Sequence, residues 1–246
     1  MKRESTLSSN IKWAFCRINW AAYRASMMIC LILLICPAVM RAQDGTLPEG
    51  QRYRHPLFNG LSVSFNAFPP ALTLFGKGYA SFEGMATVDL HHRFFPQFSA
   101  GVGYCDHESA NEVRYQTDPA PFFKAGMAYN FKYNDENGDD FYGAFLRVGY
   151  AHSESEVSNL YYTDGYWEPQ GPISIDDMKS NSCWLELGGF IKVKVASHLS
   201  LGWDASFRPF LHKGSTPSGH PYFVPGYGPT TTSFGFAFHI YYDLKD

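Results

Sequence analysis

The clearest pattern in this chain is an alternation of large apolar residues with small or polar ones between residues 230 and 242. With a period of two, the large apolar residues lie on one face, and the small or polar residues, such as Gly235 and His239, lie on the other. Such alternation predicts a β-strand that separates an apolar environment from a polar one. The apolar face of this strand carries Phe234, Phe236, Phe238, Ile240 and Tyr242.

Seven earlier segments alternate in the same way, which gives eight predicted strands in all. The charged residues inside them all fall in one phase, and the other phase is apolar. A water-soluble fold would have to bury these charges in a dry core, which is costly. A transmembrane barrel has the opposite arrangement, with apolar residues facing lipid and polar residues facing the interior. The seven segments span residues 61–67, 79–91, 98–105, 123–133, 142–150, 185–195 and 199–207.

The predicted fold is therefore all-β: an eight-stranded antiparallel up-and-down transmembrane β-barrel, spanning residues 57–246. Eight strands leave an interior that side chains fill, so we expect a polar interior closed by ion pairs. Within the strands, the inward phase also includes Lys132 and Lys194. The predicted interior ion-pair network consists of Glu83, Asp89, Lys124, Arg147, Glu186, Lys192, Asp204 and Arg208.

The predicted connections alternate between short and long. Short turns are expected at 93–97, 134–140 and 196–198, and longer loops at 69–77, 106–121, 154–181 and 212–229. Outer-membrane barrels combine short periplasmic turns with longer extracellular loops. Aromatic residues near the strand ends are consistent with interfacial girdles: Phe94, Phe95 and Phe98 at one level, Tyr104 and Tyr150 at the other.

The N-terminus and the composition agree with export to an outer membrane. Basic residues precede an apolar run at 27–39 that is too short to span a bilayer, and Ala42 offers a cleavage site. We expect a signal peptide at 1–42 and a flexible periplasmic lead at 43–56. The net charge of −3, the pI near 6.3 and the mean hydropathy of −0.23 give no indication of nucleic-acid binding or of membrane helices. In the mature chain, Cys105 is expected to point inward and Cys183 outward, against a disulfide between them.

Several short motifs resemble a family of small outer-membrane barrels of Bacteroidota that is classed as a domain of unknown function. The resemblance covers about residues 57–246 and implies a barrel fold without known chemistry. The motifs are Phe94-Phe95-Pro96, Trp184-Leu185-Glu186, Leu201-Gly202-Trp203 and the run from Tyr222 to Gly228.

Two long loops are the candidates for binding. The segment 154–181 is acidic and aromatic, and 214–229 adds further aromatic residues. Aromatic side chains make strong binding surfaces, so these loops could bind another envelope protein or a surface glycan. The alternative is that the loops pack over the mouth of the barrel. Outer-membrane lipid and the barrel-insertion machinery are the other expected partners. The candidate surface comprises Tyr161, Tyr162, Tyr166, Trp167, Tyr222, Phe223 and Tyr227.

Enzymatic and metal-dependent functions are less favoured by the sequence. His152, Ser153 and Glu154 could support acyl chemistry at the rim, but neighbours on a strand point to opposite faces. His91 and His92 have no partner at metal-ligand spacing, and the acidic turn 134–140 lacks the frame of a calcium loop. We therefore predict no cofactor and a structural or interaction role, with a narrow channel as the alternative and a lipid acyl-modifying enzyme as a third.

Overall fold

The structure, a computed structural model, describes residues 56–74, 78–109, 112–133, 140–162, 170–215 and 219–244. The predicted signal peptide, nearly all of the predicted lead and the turn at 134–139 lie outside the described residues. The elements are β1 (Phe58–Asn66), α1 (Phe68–Leu74), β2 (Tyr79–Leu90), β3 (Phe94–Glu108), β4 (Arg114–Asn130), β5 (Phe141–Tyr162), β6 (Gln170–Ala196), β7 (Leu199–Phe207), β8 (Phe210–His212), β9 (Phe223–Val224), β10 (Gly228–Pro229) and β11 (Phe234–Asp243).

Eight strands form one closed antiparallel ring. Each of β1 to β6 pairs with the next strand along the chain, and β11 pairs with both β7 and β1. The pairing of β5 with β6 completes the circle. The prediction of eight antiparallel strands in chain order is thus confirmed. We call the end with the tight turns 90–94 and 196–199 the turn end, and the opposite end the loop end.

The two faces of the ring are apolar outside and polar inside. Outward-facing Phe98, Ile191 and Trp203 are exposed by 55%, 54% and 59%. Inward-facing Ser64 and Ser99 are buried, as are the charged residues at mid-height. The predicted phase of the strands is therefore confirmed. Phe95 is the exception: it is buried inside the ring, so its predicted place in an outer aromatic girdle was wrong.

The strands β3 to β6 are longer than the sequence predicted. The predicted loop at 106–121 is largely a hairpin, because β3 and β4 continue to the pair Glu108–Arg114. The predicted loop at 154–181 is also wrong, because β5 and β6 stay paired up to Tyr162 and Gln170. Backbone pairing continues here although the apolar alternation stops, so the pattern of side chains does not mark the end of these strands.

Two other predicted loops contain ordered elements. The loop at 69–77 holds the short helix α1, whose start is capped by Asn66 through its Oδ1, which accepts a hydrogen bond from the N–H of Phe68 at 3.2 Å. In the residues that the structure describes, no helix is long and apolar enough to cross a membrane. The last strand begins at Phe234 rather than at residue 230.

The segment 219–232, which we call the inserted segment, folds into the loop end of the ring. Its β9–β10 hairpin is closed by a hydrogen bond from the N–H of Tyr227 to the carbonyl of Val224, at 3.0 Å. Gly226 has a φ of +75°, a conformation that glycine adopts at little cost. A methyl group at Gly226 would lie 2.3 Å from the ring of Phe122, so the backbone passes directly over that ring.

Candidate functional site

A layer of charged side chains crosses the middle of the ring. Period-two alternation places its members inward on six strands, and each is at most 6% exposed. The layer, called here the charged layer, consists of Glu83 on β2, Lys124 on β4, Arg147 on β5, Glu186 on β6, Asp204 on β7 and His239 on β11.

The charged layer is a continuous chain of ion pairs. The Nζ of Lys124 lies 3.2 Å from Oε2 of Glu83 and 3.1 Å from Oε1 of Glu186. Arg147 continues the chain, with its Nε 3.8 Å from Oε2 of Glu186 and its Nη2 in contact with Asp204. The Nε2 of His239 lies 3.5 Å from Asp204. Each carboxylate therefore has at least one cationic neighbour, as buried charges require.

Uncharged donors complete the coordination of two carboxylates. The hydroxyl of Ser99 donates to Oε1 of Glu83 at 2.8 Å, and the amide of Asn66 donates to Oε2 at 3.4 Å. The indole N–H of Trp184 donates to Oε1 of Glu186 at 3.0 Å. Sequence analysis assigned none of these three donors, although all lie in the inward phase of their strands and could have been found by it.

Two clusters of aromatic residues enclose the charged layer. At the turn end, the turn-end cluster consists of Phe95, Ala128, Phe141, Phe145 and Phe190. At the loop end, the loop-end cluster consists of Phe122, Ala151, Trp184, Val224 and Tyr227.

Each cluster contacts the charged layer through one phenylalanine, whose aromatic ring lies against a cation. The guanidinium of Arg147 lies 3.8 Å from the ring centroid of Phe145, and the Nζ of Lys124 lies 5.5 Å from that of Phe122. Cations over aromatic faces are attracted by the ring quadrupole, more strongly where water is excluded. The interior is thus built in three layers: aromatic, charged and aromatic.

The other three residues of the predicted network lie outside the charged layer. Asp89 pairs with His92 at the turn end, at 2.5 Å. The Nζ of Lys192 lies 2.6 Å from Oδ1 of Asp243, one of the last described residues. Arg208, at the loop end, donates to the backbone carbonyls of Tyr227 and Phe234. The structure thus unites five of the eight predicted residues in one network and adds His239 to them.

The predicted aromatic binding surface is wrong for the inserted segment. Phe223 and Tyr227 are 1% and 3% exposed, because the β9–β10 hairpin turns them into the ring. The ring of Tyr227 packs edge-to-face on Trp184, and its hydroxyl donates to the carbonyl of Arg208 at 2.9 Å. Tyr222 is half-buried and stacks on Tyr115. For this loop, packing over the mouth is the alternative that the structure supports.

The rest of that predicted surface belongs to the β5–β6 hairpin. Tyr161 and Tyr162 are the last residues of β5, and Tyr166 and Trp167 lie outside the described residues. Lower in the hairpin, Lys179 pairs with Glu154 at 3.0 Å, and this hydrogen bond raises the pKa of the lysine. In the β3–β4 hairpin, two hydrogen bonds from Arg114 lower the pKa of Asp106.

The residues with candidate chemistry are not assembled into a catalytic site. His152 is exposed and contacts Asn181, whereas Ser153 is buried beside the hydroxyl of Ser180. Their divergence follows from their adjacent positions on β5. Cys105 and Cys183 are both free thiols. Within the described part of the chain, no group of His, Cys, Asp or Glu side chains has the arrangement of a metal site.

The family described as "Domain of unknown function (DUF6048)" matches residues 21–244. No curated protein matches the chain. Among solved structures, the chain is similar to a major outer membrane protein from Thermus thermophilus, with 13% sequence identity and a TM-score of 0.40. That alignment covers 75% of this chain and 98% of the other.

Proposed function

The chain belongs to the DUF6048 family, and from its geometry we propose that it is an integral outer-membrane β-barrel with a closed interior, which holds two hairpins above the membrane as an interaction surface. The export signal expected at 1–42 would deliver it there. The Bacteroidota affiliation suggested by the sequence motifs stays a prediction.

The observation that carries this proposal is the inverted distribution of polarity. Outward positions such as Phe123, Val148 and Ile240 are exposed by 41–49%, whereas the ion-paired charges are buried. A ring of this size in water would expose far more apolar surface than the few hundred Å² usual for monomers. In a bilayer the same surface faces hydrocarbon, and the closed ring pairs nearly all of the backbone groups of its strands.

The apolar band has a definite upper limit on β5. Outward residues are apolar up to Tyr150, and the next two outward positions are His152 and Glu154. Above this level the β3–β4 and β5–β6 hairpins continue with polar residues. We therefore assign the hairpins to the aqueous phase outside the membrane.

The closed interior favours an interaction role over the channel alternative. The two aromatic clusters and the charged layer occupy the ring at three heights. Ions would have to cross both clusters, and the charges between them are already paired. We expect almost no conductance in planar bilayers from the purified barrel.

Fractionation tests the location, and shortened hairpins test the role. A barrel of this kind should stay in the outer-membrane fraction, and its gel mobility should change on boiling. Replacing residues 157–175 by an Asn-Gly turn should keep the barrel and remove partners that co-purify with it. The matched control shortens the β3–β4 hairpin instead. Identical partners from all three proteins would contradict the assignment of the β5–β6 hairpin, and a soluble periplasmic protein would contradict the location.

A further inference from the structure

Within the described residues, the hydrogen-bonded wall of the ring is incomplete between β1 and β11. The pairing of β1 with β11 runs only from Ser62–Asp243 to Asn66–His239, followed by a bond from the N–H of Ala67 to the carbonyl of Phe238 at 2.8 Å. Above this point, among the described residues, no strand pairs with the β1-facing edges of Tyr79–Glu83 and of Phe234–Ala237. We call this opening the gap.

Helix α1 lies at the gap and contacts both flanking strands. It bonds to the edge of β2 through Thr73, whose hydroxyl is 3.2 Å from the carbonyl of Tyr79. A seven-residue helix cannot replace the missing ladder, since it offers side chains rather than a row of backbone groups. Open sheet edges are not found facing hydrocarbon. The gap therefore belongs at the level of the lipid headgroups.

The outer rim of the gap is aromatic. Phe234 and Phe236 of β11 are 67% and 65% exposed, and Phe82 of β2 is 50% exposed. Their outward phase places these side chains where the upper parts of lipid acyl chains would lie.

A cavity of about 200 Å³ extends from the gap to the charged layer. Its lining includes the rim residues Phe234 and Phe236, the helix residue Phe68, and the charged residues Lys124 and Arg208. The cavity is smaller than the roughly 300–1,000 Å³ of pockets that enclose a whole drug-sized ligand. It has room for one polar group of a larger molecule whose remainder stays outside.

Arg208 is the cation of this cavity that is left without an acidic partner. The carboxylates in the lining, those of Glu83, Glu186 and Asp204, are already paired with Lys124, Arg147 or both. By contrast, no carboxylate among the described residues lies within salt-bridge distance of Arg208.

The guanidinium of Arg208 is only partly satisfied by the hydrogen bonds it makes. Its Nη1 and Nη2 donate to backbone carbonyls, and its buried Nε has no hydrogen-bond partner. The guanidinium lies flat on β11 beside the gap, where a methyl group on Gly235 would be 2.6 Å from its Cζ. Each terminal nitrogen carries a second N–H beyond the one bonded here, and such a guanidinium is suited to a phosphate oxygen.

We propose that the gap and its cavity bind the phosphate-bearing headgroup of a membrane phospholipid, which enters from the side of the barrel while its acyl chains remain in the bilayer over Phe234 and Phe236. Arg208 binds the phosphate. This inference rests on the proposed location in a membrane, because the acyl chains need a bilayer beside the rim.

Native mass spectrometry of the full mature barrel, released from neutral detergent, tests the proposal with three probes. Dimyristoyl phosphatidylglycerol should remain bound as a single molecule. Dimyristoylglycerol, which has the same chains and no phosphate, should bind at least tenfold more weakly, and so should inorganic phosphate alone. The factor of ten corresponds to the loss of about one hydrogen bond to a charged group.

The Arg208→Gln variant should lower the affinity for phosphatidylglycerol about tenfold, and the matched control Arg114→Gln, on the exposed β3–β4 hairpin, should leave it unchanged. Equal binding of the two glycerolipids would overturn the proposal, and so would unchanged binding in Arg208→Gln. Inorganic phosphate that binds as tightly as the lipid would show a free-anion site instead. If Arg208→Gln does not fold, the three probes on the unmodified protein still decide.

Fractionation separates this proposal from the proposed function. A protein found in the outer membrane that ignores phosphatidylglycerol contradicts the lipid site alone. A protein found outside the membrane contradicts both.

Discussion

The turn-end and loop-end clusters are both rich in aromatic residues but are built in different ways. All five members of the turn-end cluster lie on the strands of the ring. The loop-end cluster takes Val224 and Tyr227 from the inserted segment, which crosses the mouth of the ring. The turn end is thus closed by the ring itself, and the loop end by a piece of chain that folds back into it.

This difference predicts that the turn end opens only when the whole ring unfolds, whereas the loop end can open locally. We expect that removing a side chain from the turn-end cluster weakens the whole ring. All members of this cluster lie on the strands of the ring, so no separate segment can unfold alone. At the loop end the inserted segment can detach while the ring persists, since local opening costs less than global unfolding. The charged layer contacts both clusters: Arg147 lies over the ring of Phe145 in the turn-end cluster, and Lys124 lies over the ring of Phe122 in the loop-end cluster.

The largest effect is expected from breaking the charged layer. Arg147→Met leaves Glu186 and Asp204 buried with too few cations, and removing one partner of a buried ion pair costs about 3–5 kcal/mol. The midpoint of urea unfolding in lipid vesicles should fall accordingly.

The control for this variant is Arg114→Met, which removes an exposed pair on the β3–β4 hairpin and should leave the midpoint nearly unchanged. A midpoint for Arg147→Met equal to that of the control would show that the interior charges are solvated rather than paired in a closed interior.

A matched pair of truncations distinguishes the two clusters. Phe190→Ala should reduce the free energy of unfolding by about 3–5 kcal/mol, because it leaves a cavity among strand residues. Tyr227→Ala should reduce it less and should instead expose the inserted segment to added protease. Equal losses of stability, with no new cleavage after Tyr227→Ala, would mean that the inserted segment unfolds only together with the ring.

The smallest expected effect concerns the fit of the inserted segment over Phe122. Gly226→Ala adds a methyl group 2.3 Å from that ring in a backbone with φ of +75°, at a cost of about 1–3 kcal/mol. Gly228→Ala is the control: φ is +97°, but nothing lies within 4 Å of the added methyl group. Protease cleavage between 219 and 232 should be faster in Gly226→Ala than in Gly228→Ala. Similar rates would indicate that backbone conformation alone, rather than contact with Phe122, holds the segment.

The comparison also explains which parts of the fold were predictable. Inward and outward positions alternate strictly on a strand, so the sequence predicted the inside placement of Glu83, Lys124 and Arg147 and the outside placement of Phe98 and Trp203. Once eight antiparallel strands pair in chain order and the last strand pairs with the first, the order of the strands in the ring is determined. The turn-end residues Phe141 and Phe190 also lie in the inward phase, where they could have been recognised.

The loop end was predictable only in part, for physical reasons. Residues 154–181 lack a regular alternation of apolar residues, and so they were interpreted as a loop. Phe223 and Tyr227 are buried through long-range contacts, with Tyr79 and Trp184 respectively, to which no local pattern points. Residues 69–77 were interpreted as a loop, and α1 can form there because proline is tolerated in the first turn of a helix.

The gap beside α1 exists because β1 ends at Asn66, before the neighbouring edges of β2 and β11 are fully paired. The pairing of the strands shows this, whereas the sequence pattern does not. Sequence analysis placed Arg208 in an interior network of ion pairs, whereas the structure places its guanidinium between two backbone carbonyls. The alternation along the strand correctly placed Arg208 on the inward face. That no carboxylate among the described residues lies beside it depends on how the strands are paired, which the sequence did not show.

The central claim is that the apolar band faces lipid while the hairpins face water, and two residues with equal exposure test it most directly. Val148, within the band, and Ile173, on the β5–β6 hairpin, are both 44% exposed. Single cysteines at the two positions, in a background in which Cys105 and Cys183 are both replaced by serine, should be treated in intact cells with a membrane-impermeant maleimide. The account predicts rapid labelling of Ile173→Cys and protection of Val148→Cys until the membrane is dissolved. Equal labelling of both positions would contradict it.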